Sequence, residues 1–368
     1  MRVLVVNAGS SSLKLTLLDD DDQRTVEREL AAPRSRVDHD ELSAALQSPL
    51  CEADAVGHRI VHGGVRFRQA VAINARVRAL LGGLVDLAPL HQPKSLAALD
   101  AVSEALPDLP AVACFDTAFH ATLPPAAATY ALPAEWREQW GLRRYGFHGL
   151  SHSWVARRTP EVLESEAPGL RIVSCHLGAG ASLCAIEGGE SRDTTMGFTP
   201  LEGLVMATRS GSIDPGMLLW LLAHEKISAT ELVDTLEHRS GLLGLAGTPD
   251  MREILRRADA GDQPAQLALG VYIHSLRAGI AAMTASLGGI DVLAFTGGVG
   301  EHASAVRALA SEKLGFLGIA LDDARNETAS TDTHISVSGS PVAALVVEAR
   351  EDLEIARQTR TVLTGAHA

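Results

Sequence analysis

The sequence predicts an α/β protein built from two similar halves. Short apolar strands alternate with helical segments along most of the chain, which is typical of α/β folds. A strand, a Gly-rich turn and a second strand open the chain, and the same pattern occurs again near residue 172. The chain has 368 residues, and at about 150 residues per domain this length accommodates two domains.

The first predicted unit is a β-hairpin. Residues 3–6 form a short apolar run that ends at Asn7, and residues 13–18 form an alternating run directly after a Gly-rich turn. Two successive strands differ from the strand-to-helix unit of a dinucleotide-binding fold. The acidic run at residues 19–22 then predicts a solvated turn rather than a metal site.

Helices and strands follow the hairpin. Helical periodicity occurs at residues 40–46 and 74–84, and residues 112–115 are an apolar run that predicts a buried strand. The two prolines at 124–125 and the Ala-rich stretch behind them interrupt the pattern. The first half therefore combines a hairpin with alternating helices and strands.

The opening pattern returns in the middle of the chain. Residues 172–186 again form a strand, a Gly-rich turn and a strand. Placing residues 12–13 on residues 182–183 overlays the two units and indicates an internal duplication. Because the matching stretch is short, chance similarity stays open.

The second half continues with the same alternation. Its predicted elements are three helices at 217–222, 229–236 and 266–286, a buried strand at 292–295, a last strand at 341–347 and a final helix at 351–363. The long helix ends at Gly288 and Gly289. Both halves are thus assigned to the α/β class.

Composition excludes several classes of protein. The net charge of −13 argues against a nucleic-acid binder and against attachment to anionic lipid. The four cysteines form no C-x-x-C pair, so neither a disulfide scaffold nor a zinc ribbon is expected. The N-terminus lacks a signal peptide pattern, and no apolar run approaches the roughly 18 residues of a membrane span. We therefore expect a cytoplasmic protein.

Three Gly-rich turns, at residues 7–12, 176–182 and 297–301, each follow an apolar strand. Glycine lets successive backbone N–H groups point together at an anion such as a phosphate. A single turn of this kind is more often a plain hairpin, whereas three in one chain favour phosphate binding. No G-x-x-x-x-G-K-[ST] motif is present, and the third turn lacks the acidic residue of a dinucleotide fingerprint.

Longer sequence strings narrow the choice among phosphate-binding proteins. They are NAGSSSLK at 7–14, GHRIVHGG at 57–64, FDTAFH at 115–120, YGFHGLSH at 145–152 and MGFTPLEGLVMATRSGSIDP at 196–215. Through them the chain resembles, nearly end to end, the acetate kinase (acetokinase) family of the actin-like ATPase superfamily. The resemblance implies two duplicated actin-like (ribonuclease H-like) α/β domains with a cleft between them.

The resemblance also implies how the two domains are divided. Residues 1–117 and 353–368 would form the N-terminal domain, and residues 118–352 would form a C-terminal domain that binds nucleotide and dimerises. The implied partners are acetate, ATP or ADP, acetyl phosphate and a second copy of the chain, with no nucleic acid and no membrane.

The implied reaction is the reversible, Mg²⁺-dependent transfer of the γ-phosphoryl group of ATP to acetate, which gives acetyl phosphate and ADP; Mn²⁺ is expected to substitute. Acetate is already ionised at pH 7, so the transfer needs no general base. Catalysis should rest on cations, positioning and the metal, because two anions must meet. The alternatives are a propionate or other short-chain acyl kinase, an actin-like ATP-binding switch, and a metal hydrolase.

The resemblance assigns four catalytic residues, Arg59, Asp116, His148 and Arg209. A guanidinium can form two parallel hydrogen bonds with a carboxylate or phosphoryl group. The glycines that flank Arg59 predict that it lies in a turn, which is also rich in histidine. We expect Asp116 to orient an arginine or a water bound to Mg²⁺ rather than to act as a base. The i, i+4 histidine pairs 58/62 and 148/152 match metal-ligand spacing only weakly, and the glycines around His148 argue against a regular helix.

The remaining site residues are also carried over from the family. The predicted substrate contacts are Arg59, Val61, Leu90, His91, Phe147 and Pro200. The predicted ATP contacts are Lys14, His176, Leu177, Gly178, Ala179, Gly180, Asp250, Met251, Arg252, Gly298, Val299, Gly300, Glu301 and His302. The predicted metal ligands are Asn7 and Glu351. A small apolar pocket favours acetate, with propionate as a second substrate, because an extra methylene changes binding by only about 1–3 kcal/mol.

Three positions depart from the family pattern, which usually has Asn at each of them: Ala179, His302 and Arg350. Backbone contacts to the nucleotide survive such changes, whereas side-chain contacts do not. We therefore expect the departures to affect nucleotide and metal binding more than the type of reaction.

Overall fold

The computed structural model describes residues 1–9, 12–31, 39–89, 91–165 and 167–365. The chain forms two compact units. The first comprises Met1–Ala121, Phe147–Trp154 and Arg350–Ala368, and the second comprises Thr122–Gly146 and Val155–Ala349.

Within the described residues, the strands are β1 (Val3–Ala8), β2 (Ser12–Leu18), β3 (Arg24–Ala31), β4 (Ala55–Ile60), β5 (Val71–Ala72), β6 (Ala111–Phe115), β7 (Arg171–Leu177), β8 (Ala181–Glu187), β9 (Glu190–Thr194), β10 (Val292–Thr296), β11 (Thr333–His334) and β12 (Ala343–Val346). The α-helices in the same ranges are α1 (His39–Ala45), α2 (Ala75–Gly82), α3 (Gln92–Ala105), α4 (Pro125–Ala128), α5 (Ala134–Trp140), α6 (Gly149–Val162), α7 (Pro215–Ala223), α8 (Ala229–His238), α9 (Gly241–Ala246), α10 (Met251–Asp259), α11 (Gln263–Ser286), α12 (Gly297–His302), α13 (Ser304–Ser311), α14 (Asp323–Thr328) and α15 (Glu351–Thr364).

The sheet of the first unit has the strand order β3-β2-β1-β4-β6-β5. β1 pairs with β2 antiparallel and with β4 parallel, and β4 pairs with β6 parallel. Successive side chains of a strand point to opposite faces. Leu4 and Val6 therefore pack on the face covered by α3, whereas Val3 and Val5 pack on the face that includes Ile355 of α15.

The sheet of the second unit repeats this topology. Its order, β9-β8-β7-β10-β12-β11, matches the first sheet strand for strand, and the corresponding pairs run in the same directions. This confirms the predicted α/β fold with two duplicated, ribonuclease H-like sheets. The predicted residue overlay is shifted, however: Leu13 opposes the last residue of β1, whereas Leu183 opposes Cys175, two residues before the end of β7.

Helix starts follow from local chemistry. The side chains of Asn74, Ser228, Asp250 and Asp262 accept hydrogen bonds from the first turns of α2, α8, α10 and α11, respectively. Each satisfies a backbone N–H that has no partner within its helix. α11 also has proline in its first turn, where the missing N–H costs nothing.

Two local predictions based on glycine are wrong. Gly57 lies in β4 rather than in a turn, because a Cβ there would meet Thr359 Oγ1 at 2.5 Å, so glycine permits α15 to approach the strand. The third Gly-rich segment is the short helix α12, in which only Gly297 has a positive φ, of 77°. The Ala-rich stretch after Pro124 forms the single helical turn α4.

Two further predictions need correction. α6 begins at Gly149 and runs for 14 residues, so His152 is helical after all, whereas His148 lies just before the helix with a φ of 54°. Among the described helices, α11, with 24 residues, is long and apolar enough by length and composition to cross a membrane. It packs against α9, α10 and β8 of the second unit.

Candidate functional site

A buried ion pair lies at the ends of two neighbouring parallel strands in the first unit. Arg59 is in β4, and Asp116 directly follows β6. Arg59 Nε lies 3.1 Å from each carboxylate oxygen of Asp116, and Nη2 lies 2.7 Å from Oδ2. The guanidinium is therefore fixed in one plane, with Nη1 on its other side.

Asn7 and Glu351 occupy that other side. Arg59 Nη1 donates to Asn7 Oδ1 at 3.1 Å and lies 3.7 Å from Glu351 Oε2. Asn7 Nδ2 lies 3.5 Å from the same carboxylate oxygen. Asn7 is at the end of β1, beside β4, and Glu351 is the first residue of α15. Two predicted metal ligands and two predicted catalytic residues thus form one cluster.

The cluster has an excess of negative charge. Burial of the Arg59 guanidinium favours its neutral form, but the carboxylates of Asp116 and Glu351 outweigh this effect and raise the pKa of Arg59. The side chain of Asp116 is 2% exposed, and that of Arg59 is 17% exposed. One guanidinium faces two carboxylates, so a cation is favoured beside the cluster.

The segment around His148 is held against the end of β6. Gly149 N donates to the carbonyl oxygen of Asp116 at 2.8 Å, and a Cβ on Gly149 would lie 2.1 Å from that oxygen. His120 Nε2 lies 3.0 Å from the carbonyl oxygen of Phe147. His148 itself has a φ of 54°, a left-handed conformation that costs a non-glycine residue about 1–2 kcal/mol.

The histidines at 58 and 62 belong to the interior of the first unit. Burial lowers the pKa of both side chains to about 4, so both are neutral at pH 7. Gln92 fixes the backbone of His62, since its amide accepts from His62 N and donates to His62 O, each at 3.1 Å. Among the described residues, no group of three or more His, Cys, Asp or Glu side chains is placed to hold a metal ion.

The predicted substrate residues are divided between the two units. Val61 and Phe147 are buried in the first unit, where the Phe147 ring meets the His62 ring edge-on at 5.6 Å. His91 directly precedes α3. Pro200 is a buried residue of the second unit. Leu90 lies outside the described residues.

Arg209 is a half-buried cation of the second unit. Its Nη1 donates to the carbonyl oxygen of Pro200 at 2.8 Å, and its Nε lies 3.6 Å from Glu237 Oε2. Burial lowers the pKa of Arg209, and Glu237 only partly opposes this effect. Arg209 is thus compensated by one distant carboxylate, whereas Arg59 has two; an added anion would stabilise the charge of Arg209.

A cavity of about 540 Å³ in the second unit joins three predicted nucleotide segments. The predicted residues that line it are Gly178, Ala179, Asp250, Met251, Arg252, Gly298, Val299 and His302. Arg252 is 91% exposed and pairs with Asp250 at 2.7 Å. The Glu301 carboxylate accepts from Gly297 N at 2.9 Å and from Ala349 N at 3.0 Å, which holds the start of α12 in place.

Sequence reasoning missed the apolar wall of this cavity. The wall is formed by Ala207, Leu242, Pro249, Leu255, Tyr272 and Ala303. These residues carry no motif, and their positions on separate elements are visible only in the fold. Lys14, by contrast, was predicted to bind phosphate, but its ammonium lies 3.1 Å from Glu27 Oε2 on the neighbouring strand of the first unit. Its phosphate role stays a prediction.

Comparison of the sequence with known proteins places the chain in a family. The model of the acetokinase family matches residues 36–357. The chain belongs to the acetokinase family. An acetate kinase of Nostoc sp. (strain PCC 7120) is 42% identical over 399 residues, covering 97% of this chain and 98% of that protein. An acetate kinase of Leifsonia xyli subsp. xyli is 46% identical over 387 residues, covering 97% of each chain.

Solved structures of similar proteins agree with the fold. The crystal structure of Porphyromonas gingivalis acetate kinase superposes with a TM-score of 0.89 at 35% identity, covering 98% of this chain and 99% of that one. A propionate kinase from Francisella tularensis subsp. tularensis superposes with a TM-score of 0.91, also at 35% identity and with the same coverage. The predicted family and its duplicated fold are therefore confirmed.

Proposed function

We propose that the chain is a kinase that transfers the γ-phosphoryl group of ATP to acetate and runs the reaction in both directions. The observation that carries this function is similarity over nearly the full length: acetate kinases of the acetokinase family are 42% and 46% identical over 97% of this chain. The Arg59 cluster supplies the cation and the oxygen ligands that such a transfer needs.

The reaction balances without a proton acceptor. A carboxylate oxygen of acetate forms the new bond to the γ-phosphorus of ATP. The bond from that phosphorus to the bridging oxygen breaks, and its electron pair stays on ADP. Because acetate is already an anion, the protein must reduce repulsion between two anions rather than remove a proton.

In this proposal Asp116 positions Arg59. Its carboxylate accepts three hydrogen bonds from the guanidinium, which fixes the plane and direction of that group. Arg59 then offers a preorganised positive charge to the carboxylate of acetate and to the transferring phosphoryl group, at no cost in reorganisation during the reaction. Arg209 and His148 are proposed to serve the same anions.

The residues of the cluster fit Mg²⁺. Asn7 Oδ1 and the carboxylate of Glu351 are hard oxygen donors, and Mg²⁺ is usually held by one or two such groups together with water and substrate phosphates. When bound, Mg²⁺ or Mn²⁺ would offset the charge of the phosphate oxygens. Both donors contact Arg59 through Nη1, so the chain holds them close together before any ligand arrives.

We also propose that the second unit binds ATP in its 540 Å³ cavity and mediates dimerisation. The cavity is lined by two glycines and by apolar side chains, which suit phosphate and base respectively, together with Asp250, Arg252 and His302. Dimerisation is supported by α7, where Met217, Leu219 and Trp220 are 44%, 67% and 51% exposed. Exposed apolar patches of this kind mark protein interfaces. We expect the enzyme to act in the cytoplasm.

The test is a direct assay of acyl phosphate. Protein, ATP and Mg²⁺ are incubated with acetate, propionate or butyrate, and hydroxylamine converts each acyl phosphate into a coloured hydroxamate. We expect acetate to give the highest kcat/KM, with a loss of about 10- to 200-fold on adding one methylene. A higher kcat/KM for propionate would favour the second candidate, a propionate kinase. The structure of the Francisella propionate kinase is similar to that of this chain.

A further inference from the structure

The loop that carries Arg209 is fastened at its base by a polar cluster. The loop runs from β9 to the turn at Arg209, and the Pro200 carbonyl within it accepts from Arg209 Nη1 at 2.8 Å. Whatever fixes Pro200 therefore helps to fix the guanidinium, which also lies 3.5 Å from Met206 Sδ and 3.6 Å from Glu237 Oε2. Three side chains outside the predicted site, Tyr130, Arg144 and Glu202, hold the backbone directly before Pro200.

Tyr130 joins the loop through its hydroxyl group. The Tyr130 hydroxyl donates to Glu202 Oε2 at 2.5 Å and accepts from the backbone N–H of Phe198 at 2.9 Å. Burial and the neighbouring Glu202 carboxylate raise the pKa of Tyr130, so the hydroxyl keeps its proton and remains a donor. One hydroxyl group thus connects a carboxylate after Pro200 to the backbone before it.

Arg144 holds the other side of the same carboxylate. Its Nη2 donates to Glu202 Oε1 at 3.0 Å, and its Nη1 donates to three successive carbonyl oxygens, each at 3.2 Å, which belong to Thr194, Thr195 and Met196. The guanidinium also lies 5.5 Å from the centre of the Tyr130 ring.

The side chains of Tyr130 and Glu202 pack closely against Gly197. A Cβ on Gly197 would lie 1.6 Å from Glu202 Oε2 and 2.1 Å from the Tyr130 hydroxyl oxygen. The carbonyl oxygen of Gly197 accepts from Tyr145 N at 3.0 Å. Side-chain contacts and a backbone hydrogen bond therefore both hold the loop within three residues of Pro200.

We propose that Tyr130, Glu202 and Arg144 are positioning residues for Arg209, and we call these three residues the loop clamp. The clamp fixes Pro200, and the Pro200 carbonyl fixes the direction of the Arg209 guanidinium. The inference rests on the proposed function, because it assigns Arg209 a role in phosphoryl transfer. It adds three residues that do not themselves present a charge to the substrate.

The test is a double-mutant cycle between Tyr130→Phe and Arg209→Ala. ATP formed from ADP and acetyl phosphate is measured by luciferase luminescence, which is sensitive enough to follow the slow Arg209→Ala background. In the parent chain, Tyr130→Phe should lower kcat about 10-fold, within the range that coupled neighbours show. In the Arg209→Ala background it should change kcat less than about 2-fold, because the group that it positions is gone.

Two further measurements separate positioning from a general structural role. The KM for ADP should stay unchanged in Tyr130→Phe, since the nucleotide cavity contains no clamp residue. Tyr145→Phe is the matched control: it loses a hydroxyl bond to the carbonyl oxygen of Gly141 and should retain the parent kcat. If Tyr130→Phe unfolds, Glu202→Gln replaces it in the same cycle.

Equal fold-losses in the two backgrounds would overturn the proposal, and so would a parent-like kcat in Tyr130→Phe. Failure of the proposed function looks different. In that case the parent chain itself forms no ATP from acetyl phosphate and ADP.

Discussion

The substitution Asp116→Asn tests whether that carboxylate acts through Arg59. The change keeps the size of the side chain but removes the charge that accepts three hydrogen bonds, at 3.1, 3.1 and 2.7 Å. An amide cannot accept at both positions, so the guanidinium keeps its contacts through Nη1 but loses the two-point contact that fixes its plane. Losing one preorganised donor to the charge of a transition state costs about 3–4 kcal/mol in the activation free energy.

Two features of the structure reduce that figure. Arg59 is 17% exposed, so water can solvate part of the charge, and Glu351 Oε2 remains 3.7 Å from Nη1 as a second counter-ion. We therefore expect a loss of about 2–3 kcal/mol in transition-state stabilisation, which lowers kcat/KM for acetate about 30- to 160-fold. Hydroxamate formation at varied acetate concentration measures this value.

A matched control lies in the same unit. Arg78 and Asp100 also form a two-point pair, with both distances 2.6 Å, but the Asp100 side chain is 52% exposed. Asp100→Asn should change kcat/KM less than about 2-fold, because exposed pairs contribute about 0–1 kcal/mol. A parent-like rate in Asp116→Asn, or an equal loss in both variants, would refute the reasoning.

Three other predictions follow from the same geometry. The pKa values of His58 and His62 are both about 4 when folded and 6.5 ordinarily, so the unfolded chain binds more protons between these values. Each histidine should lower the free energy of unfolding by about 2 kcal/mol from pH 7.5 to pH 5, and His58→Leu should remove about half of their combined effect in urea titrations. Gly149→Ala should lower the thermal midpoint and abolish activity, since its Cβ would meet the Asp116 carbonyl at 2.1 Å; a parent-like midpoint would contradict this. Leu219→Asp should shift the sedimentation coefficient from dimer to monomer, and an unchanged coefficient would exclude α7 from the interface.

Much of the fold could be predicted because its signals are local. The hairpin of β1 and β2 and the long helix α11 have the periodicities that the chain shows, and the repeat near residue 172 indicated the duplication that the two sheets confirm. Local sequence patterns gave the wrong prediction where glycine permits close packing instead of forming a turn. Gly57 was placed in a turn, but it lies in a strand because α15 approaches it closely.

The candidate site was predictable as residue types but not as geometry. The family strings identified Arg59 and Asp116, yet 57 residues separate them, and no pattern indicates that their side chains meet in a two-point pair. The loop clamp is harder still, since Tyr130 and Glu202 lie 72 residues apart and belong to no metal or phosphate motif. The first contact depends on the pairing of β4 with β6, and the second depends on how the segment after α4 and the loop after β9 fold against each other.

Phosphorus NMR tests the central claim most directly. The protein is mixed with ATP, Mg²⁺ and acetate, and the spectrum is followed with time. Direct transfer predicts that acetyl phosphate and ADP appear in equal amounts while ATP declines, and that Arg59→Ala slows all three changes together. The account is contradicted if ATP declines with release of inorganic phosphate alone, or if acetyl phosphate forms at the parent rate without Arg59.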